Sequence, residues 1–350
     1  MSQKDGSGIK MVAQIDKHFI SFSKKRVWPR LLAYLFFEGR PITTRFRWLN
    51  YIVFGVYKCL LNLPQLREVH KPGFIIGTGR SGTTILGIIL SMHKEVGFLN
   101  EPKAVWAKLY QSEDLIGSYN NGAANYRLSS KDATIEVTEG AHKIMGGYLK
   151  FSATNRLIEK YPEEVFRTSF LQEIFPDAHF LFLSRSGAAT CCSISEWSKR
   201  LGKTKNLETH DWWGVNDRKW KCLVDQLIPQ HPDLAKHSHF MATLNHEARG
   251  AVEWIVTMRE GMNFVRSNPT RALHVPYEIL CDDPTFWSLK IQEFLGLPRD
   301  HRFESYASTV LSRDSKKNTL SLPSWLLPIF NRTQDELDEF TKKSQNFDVA

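Results

Sequence analysis

From Lys71 onward, short apolar runs alternate with helical ones, the pattern of a parallel α/β sheet covered on both faces. Phe74–Ile76 reads as a first strand, followed by a glycine-rich loop and a helix over Thr83–Met92. Val96–Leu99 gives a second strand and Arg156–Lys160 a third, trailed by a helix over Glu163–Phe175. His179–Leu183 is an unbroken apolar run, as a strand buried on both sides requires. A helix over Ala188–Arg200 follows it, and Arg271–Pro276 is the fifth strand. Residues 104–150 show no clear period and read as irregular, with a turn at Asn120–Gly122. A second helical run spans Asn245–Phe264, and residues 323–350 form a Pro-bounded, acidic, helical tail.

Charge sharpens this division. The chain carries a net +9, and residues 1–70 hold 12 Lys or Arg against 4 Asp or Glu. The remainder holds 34 against 33 and is close to neutral, which argues against a nucleic-acid surface on the main domain. The predicted organisation is a basic, aromatic-rich extension over 1–70, a main domain over 71–322 with an insertion at about 197–265, and the tail.

No signal-peptide pattern opens the chain, and Leu31–Phe37 and Tyr51–Leu63 fall short of the roughly 20 apolar residues a span requires. Lys24, Lys25, Arg26, Trp28, Arg30, Arg45, Arg47 and Trp48 admit two readings. Residues 17–60 either touch an anionic membrane peripherally or pack as helices on the main domain with their basic groups in water. The five cysteines form no C-x-x-C pair, and Cys191 and Cys192 read as packing residues. The expectation is a reducing, cytoplasmic setting, with peripheral membrane contact as one of the two readings of residues 17–60.

The candidate chemistry lies just after the strands. The first ends at Gly77–Thr84, the second at Asn100–Pro102, the third at Lys160 and the fourth at Ser184–Arg185. Open parallel sheets bind ligands beyond these carboxyl ends, so a phosphate loop, Glu101, Lys160 and Arg185 should converge. Gly77-Thr-Gly-Arg-Ser-Gly-Thr-Thr84 has P-loop spacing, but Thr83 stands where the lysine belongs. Its glycines free backbone N–H groups for phosphate oxygens, and Arg80 supplies the cation. No strand ends in an aspartate suited to magnesium, which favours a donor handled without metal.

With these residues in view, the chain resembles the superfamily of sulfotransferases dependent on 3′-phosphoadenosine 5′-phosphosulfate (PAPS), especially its bacterial and its carbohydrate- and tyrosyl-protein-type branches. The likeness covers roughly 72–300. Gly77–Thr84 resembles the 5′-phosphosulfate loop, and Arg185 with Ser193 resembles the 3′-phosphate motif. Glu159-Lys160-Tyr-Pro162, Phe175-Pro-Asp-Ala178, Tyr277-Glu278 and Phe294-Leu-Gly-Leu-Pro298 match further family segments.

The resemblance implies a P-loop-like parallel sheet flanked by helices, with a helical N-terminal extension and a helical insertion on the acceptor side. It implies a donor site of Gly79, Arg80, Ser81, Gly82, Thr83, Thr84, Arg185 and Ser193. Glu101 would be the base, with Lys160 and Arg80 neutralising the leaving oxygen. The competing role for Glu101 is a salt bridge to Arg80. His142 is a further ionisable group able to approach the site, and Ser312–Asn318 resembles a lid on the 3′-phosphate.

The implied co-substrate is PAPS, with no metal. The acceptor is a small molecule, glycan or lipid, the last two favoured by Trp197, Trp212, Trp213 and Trp220. Two rivals stay open: a P-loop kinase or NTPase, and a catalytically silent nucleotide-binding or membrane-associated protein.

Overall fold

Five parallel strands, side by side in the order Val96–Asn100, Arg156–Lys160, Gly73–Gly77, His179–Ser184 and Ala272–Pro276, form the centre of the protein in a computed structural model describing residues 13–205, 207–313 and 319–346. In chain order the elements begin with α1 (Lys17–Phe22), α2 (Lys24–Phe36), α3 (Leu49–Leu61), β1 (Gly73–Gly77), α4 (Thr83–Leu90) and β2 (Val96–Asn100). There follow α5 (Lys103–Leu109), α6 (Ile135–Ser152), β3 (Arg156–Lys160), α7 (Thr168–Ile174), β4 (His179–Ser184) and α8 (Gly187–Leu201). The insertion contains β5 (Lys203–Lys205), β6 (Glu208–Asp211), β7 (Gly214–Val215), α9 (Arg218–Gln226), α10 (Pro232–Ala235) and α11 (His246–Ser267). The chain closes with β8 (Ala272–Pro276), α12 (Tyr277–Asp282), α13 (Pro284–Phe294), α14 (His301–Val310) and α15 (Leu327–Asn346).

The strand alternation divides the core in two. Phe74, Ile76, Phe180 and Phe182 pack with α6, α7 and α11 on one side. Ile75, Phe98, Ile158, Leu181 and Leu183 pack with α4, α13 and α14 on the other. Period-two patterning on a doubly covered sheet produces this split. Asn245 caps α11 through Ala248 N–H (2.9 Å), and Asp283 caps α13 through Phe286 N–H (2.9 Å).

The first helices close the edge of the sheet. β2 is an edge strand, and α2 lies along it. Arg26 donates from Nε to the Ser91 carbonyl (2.8 Å), from Nη1 to Lys94 (3.1 Å) and from Nη2 to Val96. Arg30 donates to the Glu38 carboxylate (2.7 Å) and the Phe98 carbonyl (2.8 Å), both buried. Two of the basic residues expected to face water or lipid therefore satisfy buried acceptors. Lys24, Lys25 and Trp28 stay exposed.

Three sequence expectations change. Residues 104–150 are not irregular throughout, since α5 and the 18-residue α6 lie there. The helix expected over Glu163–Phe175 divides into a 3₁₀ segment, Pro162–Phe166, and α7. Arg167 sits at the break, its guanidinium bonded to Glu113 (2.9 Å) and to the Tyr126 and Asn125 carbonyls. The insertion is not wholly helical either, because β5–β7 form an antiparallel sheet.

Candidate active site

The carboxyl ends of the strands gather the expected groups. β1 runs into the loop Gly77–Thr84, β2 into Glu101, β3 ends at Lys160, and β4 runs into Arg185. The Glu101 N–H donates to the Lys160 carbonyl (2.7 Å), one step beyond the β2–β3 ladder, so the two side chains leave neighbouring strands together.

The loop is built for close approach. Gly82 sits at φ 103°, and an added Cβ would lie 2.4 Å from the Tyr277 ring. At Gly79 it would lie 2.4 Å from Trp212. Ser81 Oγ donates to the Thr78 carbonyl (2.6 Å) and closes the turn, while the buried Thr78 Oγ1 has no partner. Thr83 and Thr84 open α4, where the first amides have no acceptor within the helix. Those N–H groups and the helix dipole make an anion cradle.

Two guanidinium groups stand beside it. Arg80, at φ 70°, donates from Nε to Ser193 Oγ (3.1 Å). Arg185 donates to the Arg80 carbonyl (3.2 Å) and lies 4.9 Å above the Tyr277 ring. Desolvation, then Arg200 and Arg185, hold the Arg80 pKa below its ordinary value, even though the side chain reaches solvent at the rim. Cations crowded enough to disfavour one another form a site that an anion stabilises. Ser193 meets Arg80 rather than serving Arg185 alone. Glu278 accepts from Ser186 N–H (2.9 Å) and fixes the start of α8.

Glu101 does not pair with Arg80. Its Oε1 takes a short hydrogen bond from Lys160 Nζ, and its Oε2 lies 3.4 Å from Lys103 Nζ. Its φ of 52° is a left-handed setting that costs a non-glycine residue on the order of 1 kcal/mol, the kind of strain concentrated at functional sites. Crowding alone would raise the carboxyl pKa, yet Lys160 and Lys103 outweigh it and bring it to about 2. The carboxylate is 36% exposed on a cleft wall, whereas the Lys160 side chain is only 3% exposed.

That cleft, about 620 Å³ counting its open mouth, runs beside the donor loop. Trp197 and Trp212 form one wall, edge to face at 5.4 Å, and Pro41–Thr43 from the N-terminal segment form another. Behind them a chain of alternating charge continues inward. Lys219 Nζ lies 2.8 Å from Glu163 and 2.6 Å from Glu253, and Trp212 Nε1 donates to Glu253 (2.7 Å). Burial opposes the Lys219 charge, but Glu163 and Glu253 raise its pKa well above the usual value.

Lys103, Glu163, Lys219 and Glu253 escaped sequence reasoning because no motif spacing joins them. Trp212 reads from sequence only as an aromatic of the insertion, and its place against Gly79 appears in the fold. His142 does not approach the cleft. It lies in α6, with Nε2 against the Ile174 carbonyl (2.9 Å). Arg313 ion-pairs with Asp282, and the rest of the proposed lid, 314–318, lies outside the described residues.

The chain is similar to several known proteins. Residues 72–215 match the profile of the sulfotransferase family. A protein-tyrosine sulfotransferase of Drosophila melanogaster is 27% identical over 199 residues, covering 55% of this chain and 37% of the fly protein. The chain thus corresponds to just over a third of that relative's length. Among solved structures, the sulfotransferase domain of the Synechococcus PCC 7002 olefin synthase aligns with TM-score 0.44 at 14% identity, over 79% of this chain and 97% of that one. A Mycobacterium avium sulfotransferase aligns with TM-score 0.42 at 13% identity, over 90% and 91%. The segment 72–215, which carries the phosphate loop, Glu101, Lys160, Arg185 and Trp212, is the part of the chain that is similar to the sulfotransferase family.

Proposed function

We propose that this protein transfers the sulfuryl group of PAPS to an acceptor hydroxyl. The observation that carries the reading is one juxtaposition. The loop with Arg80 and Arg185 lies beside the Lys160–Glu101 pair, and Glu101 and Trp212 line the same cleft. The residues fit the donor: a glycine cradle at a helix N-terminus for the 5′ end, with Arg185 and Ser193 for the 3′-phosphate.

The donor supplies an activated sulfur–oxygen bond. Glu101 takes the proton of the acceptor hydroxyl as that oxygen bonds to sulfur, and the bridging oxygen leaves with the electron pair of the broken bond. Lys160 and Arg80 hold the charge that develops there. A carboxylate with a pKa near 2 is a weak base, so Lys160 must first turn from Glu101 towards the leaving oxygen. The pair is therefore a resting lock that donor binding opens.

A glycan or lipid hydroxyl suits the cleft, because Trp197 and Trp212 with Pro41, Ile42, Ile116 and Val215 give part of its lining an aromatic and apolar surface. The test is release of 3′-phosphoadenosine 5′-phosphate (PAP) from PAPS with a panel of glycans, lipids and phenols. Acceptor-dependent release is expected. Tight Mg-ATP binding with PAPS ignored would instead support a kinase or NTPase.

A further inference from the structure

Of the fourteen large apolar side chains that stand exposed among the described residues, four fall within seven consecutive positions. Phe46, Trp48, Tyr51 and Ile52 all reach solvent, Trp48 at 59% and Tyr51 at 84% exposure. They lie on the turn that opens α3, closed by Leu49 N–H to the Phe46 carbonyl (3.0 Å) and Asn50 N–H to Arg47 (3.0 Å). α3 buries Asn50, Val53, Tyr57 and Leu60, so Tyr51, Ile52, Gly55 and Lys58 form the opposite stripe at helical spacing. Arg45 and Arg47 flank it at one end and Lys58 at the other, all exposed. Between residues 17 and 67 the sequence has one acidic residue, Glu38, which is buried against Arg30. The face is aromatic and cationic, with no exposed carboxylate of its own segment to offset it.

We propose that this face docks on an anionic lipid surface. Trp and Tyr rings suit the headgroup layer, and flanking Arg and Lys suit anionic headgroups. At 13 residues α3 lies along such a surface, since crossing one takes about 20 residues. Pairing of the face with a second copy would set Arg45, Arg47 and Lys58 against one another, which charge opposes.

The location adds a consequence. Pro41–Thr43 line the cleft, and Arg47 donates to the carbonyl of Ser118, another lining residue (3.1 Å). Docking through residues 45–58 therefore brings the cleft mouth to the bilayer, where a lipid-borne hydroxyl is within reach. That last step rests on the proposed transfer reaction; the docking itself does not.

The experiment is flotation of the full chain with phosphatidylcholine vesicles, with and without phosphatidylserine. Binding is expected only with the anionic lipid and should fall as salt rises. Trp48→Ser/Tyr51→Ser/Ile52→Ser should abolish it, with an unchanged melting temperature because all three side chains are exposed. Arg45→Gln and Lys58→Gln should each weaken it by about fivefold, while Lys342→Gln on α15 should not. The proposal is overturned if the wild type does not float, if the triple variant floats equally well, or if the wild type is a dimer that the triple variant dissociates. Lost flotation with turnover of a soluble acceptor intact touches docking alone; lost turnover with flotation intact touches the transfer reading alone.

Discussion

Replacing Glu101 by Gln separates a base from a group that only organises the donor site, because the first role costs turnover alone and the second costs donor affinity as well. In the resting protein Lys160 and Lys103 hold the carboxyl pKa at about 2, against an ordinary value of 4.5. That difference corresponds to an upper figure of about 3 kcal/mol. With the carboxylate 36% exposed, solvent screening reduces it to about 1 kcal/mol. In the proposed mechanism Lys160, the larger of the two contributors, gives up most of that amount when it turns towards the leaving oxygen. Glu101→Gln lifts this cost, so PAP should bind equally well or up to about fivefold tighter by calorimetry. Turnover should fall by about 10²–10⁴, the usual worth of a positioned base. Near-normal kcat would remove Glu101 as the base. A loss of PAP affinity matching the loss of kcat would show that Glu101 organises the donor site instead.

Arg185→Ala should weaken PAP binding by about 10- to 100-fold, the loss of charged hydrogen bonds, while kcat at saturating donor changes far less; calorimetry and steady-state kinetics together check this. Lys219→Met leaves Glu163 and Glu253 buried without their shared cation, and urea unfolding should show about 3–5 kcal/mol of lost stability. His274 is buried, with Nε2 against Ser184 Oγ (2.7 Å), and burial followed by Lys290 pushes its pKa down to about 3. Its unfolded pKa of about 6.5 is higher, so the unfolded chain takes up the proton first. His274 therefore stabilises the fold above pH 6.5, and that contribution shrinks as pH falls towards 3. At pH 5 the loss should be about 2 kcal/mol, and His274→Phe should flatten this limb of the stability curve; an unchanged slope would refute the assignment.

What the sequence revealed and what it hid have one physical origin, the range over which a signal acts. β4 was legible because six consecutive residues, mostly apolar, report a doubly covered strand without reference to anything else. The convergence of Gly77–Thr84, Glu101, Lys160 and Arg185 was legible because parallel topology fixes where strand ends lie. α6 was hidden by Gly140, Gly146 and Gly147, which lower helix propensity and break the apolar period. Those glycines answer to distant neighbours: a Cβ at Gly146 would sit 2.2 Å from the Arg67 carbonyl oxygen, and one at Gly147 2.6 Å from Leu60. The buried arginines misled in the same way. Arg26 and Arg30 look like surface charge until β2 presents the Val96 and Phe98 carbonyls as an uncovered edge. Lys103, Glu163, Lys219 and Glu253 are the extreme case, four charges whose spacing along the chain carries no motif. Their alternation has meaning only in three dimensions, where each charge in the low-dielectric wall needs an opposite neighbour. Lys160, beside Glu101, is thus held by an ion pair across neighbouring strands as well as by its own strand, and that pairing is a property of the folded chain that no stretch of sequence encodes alone.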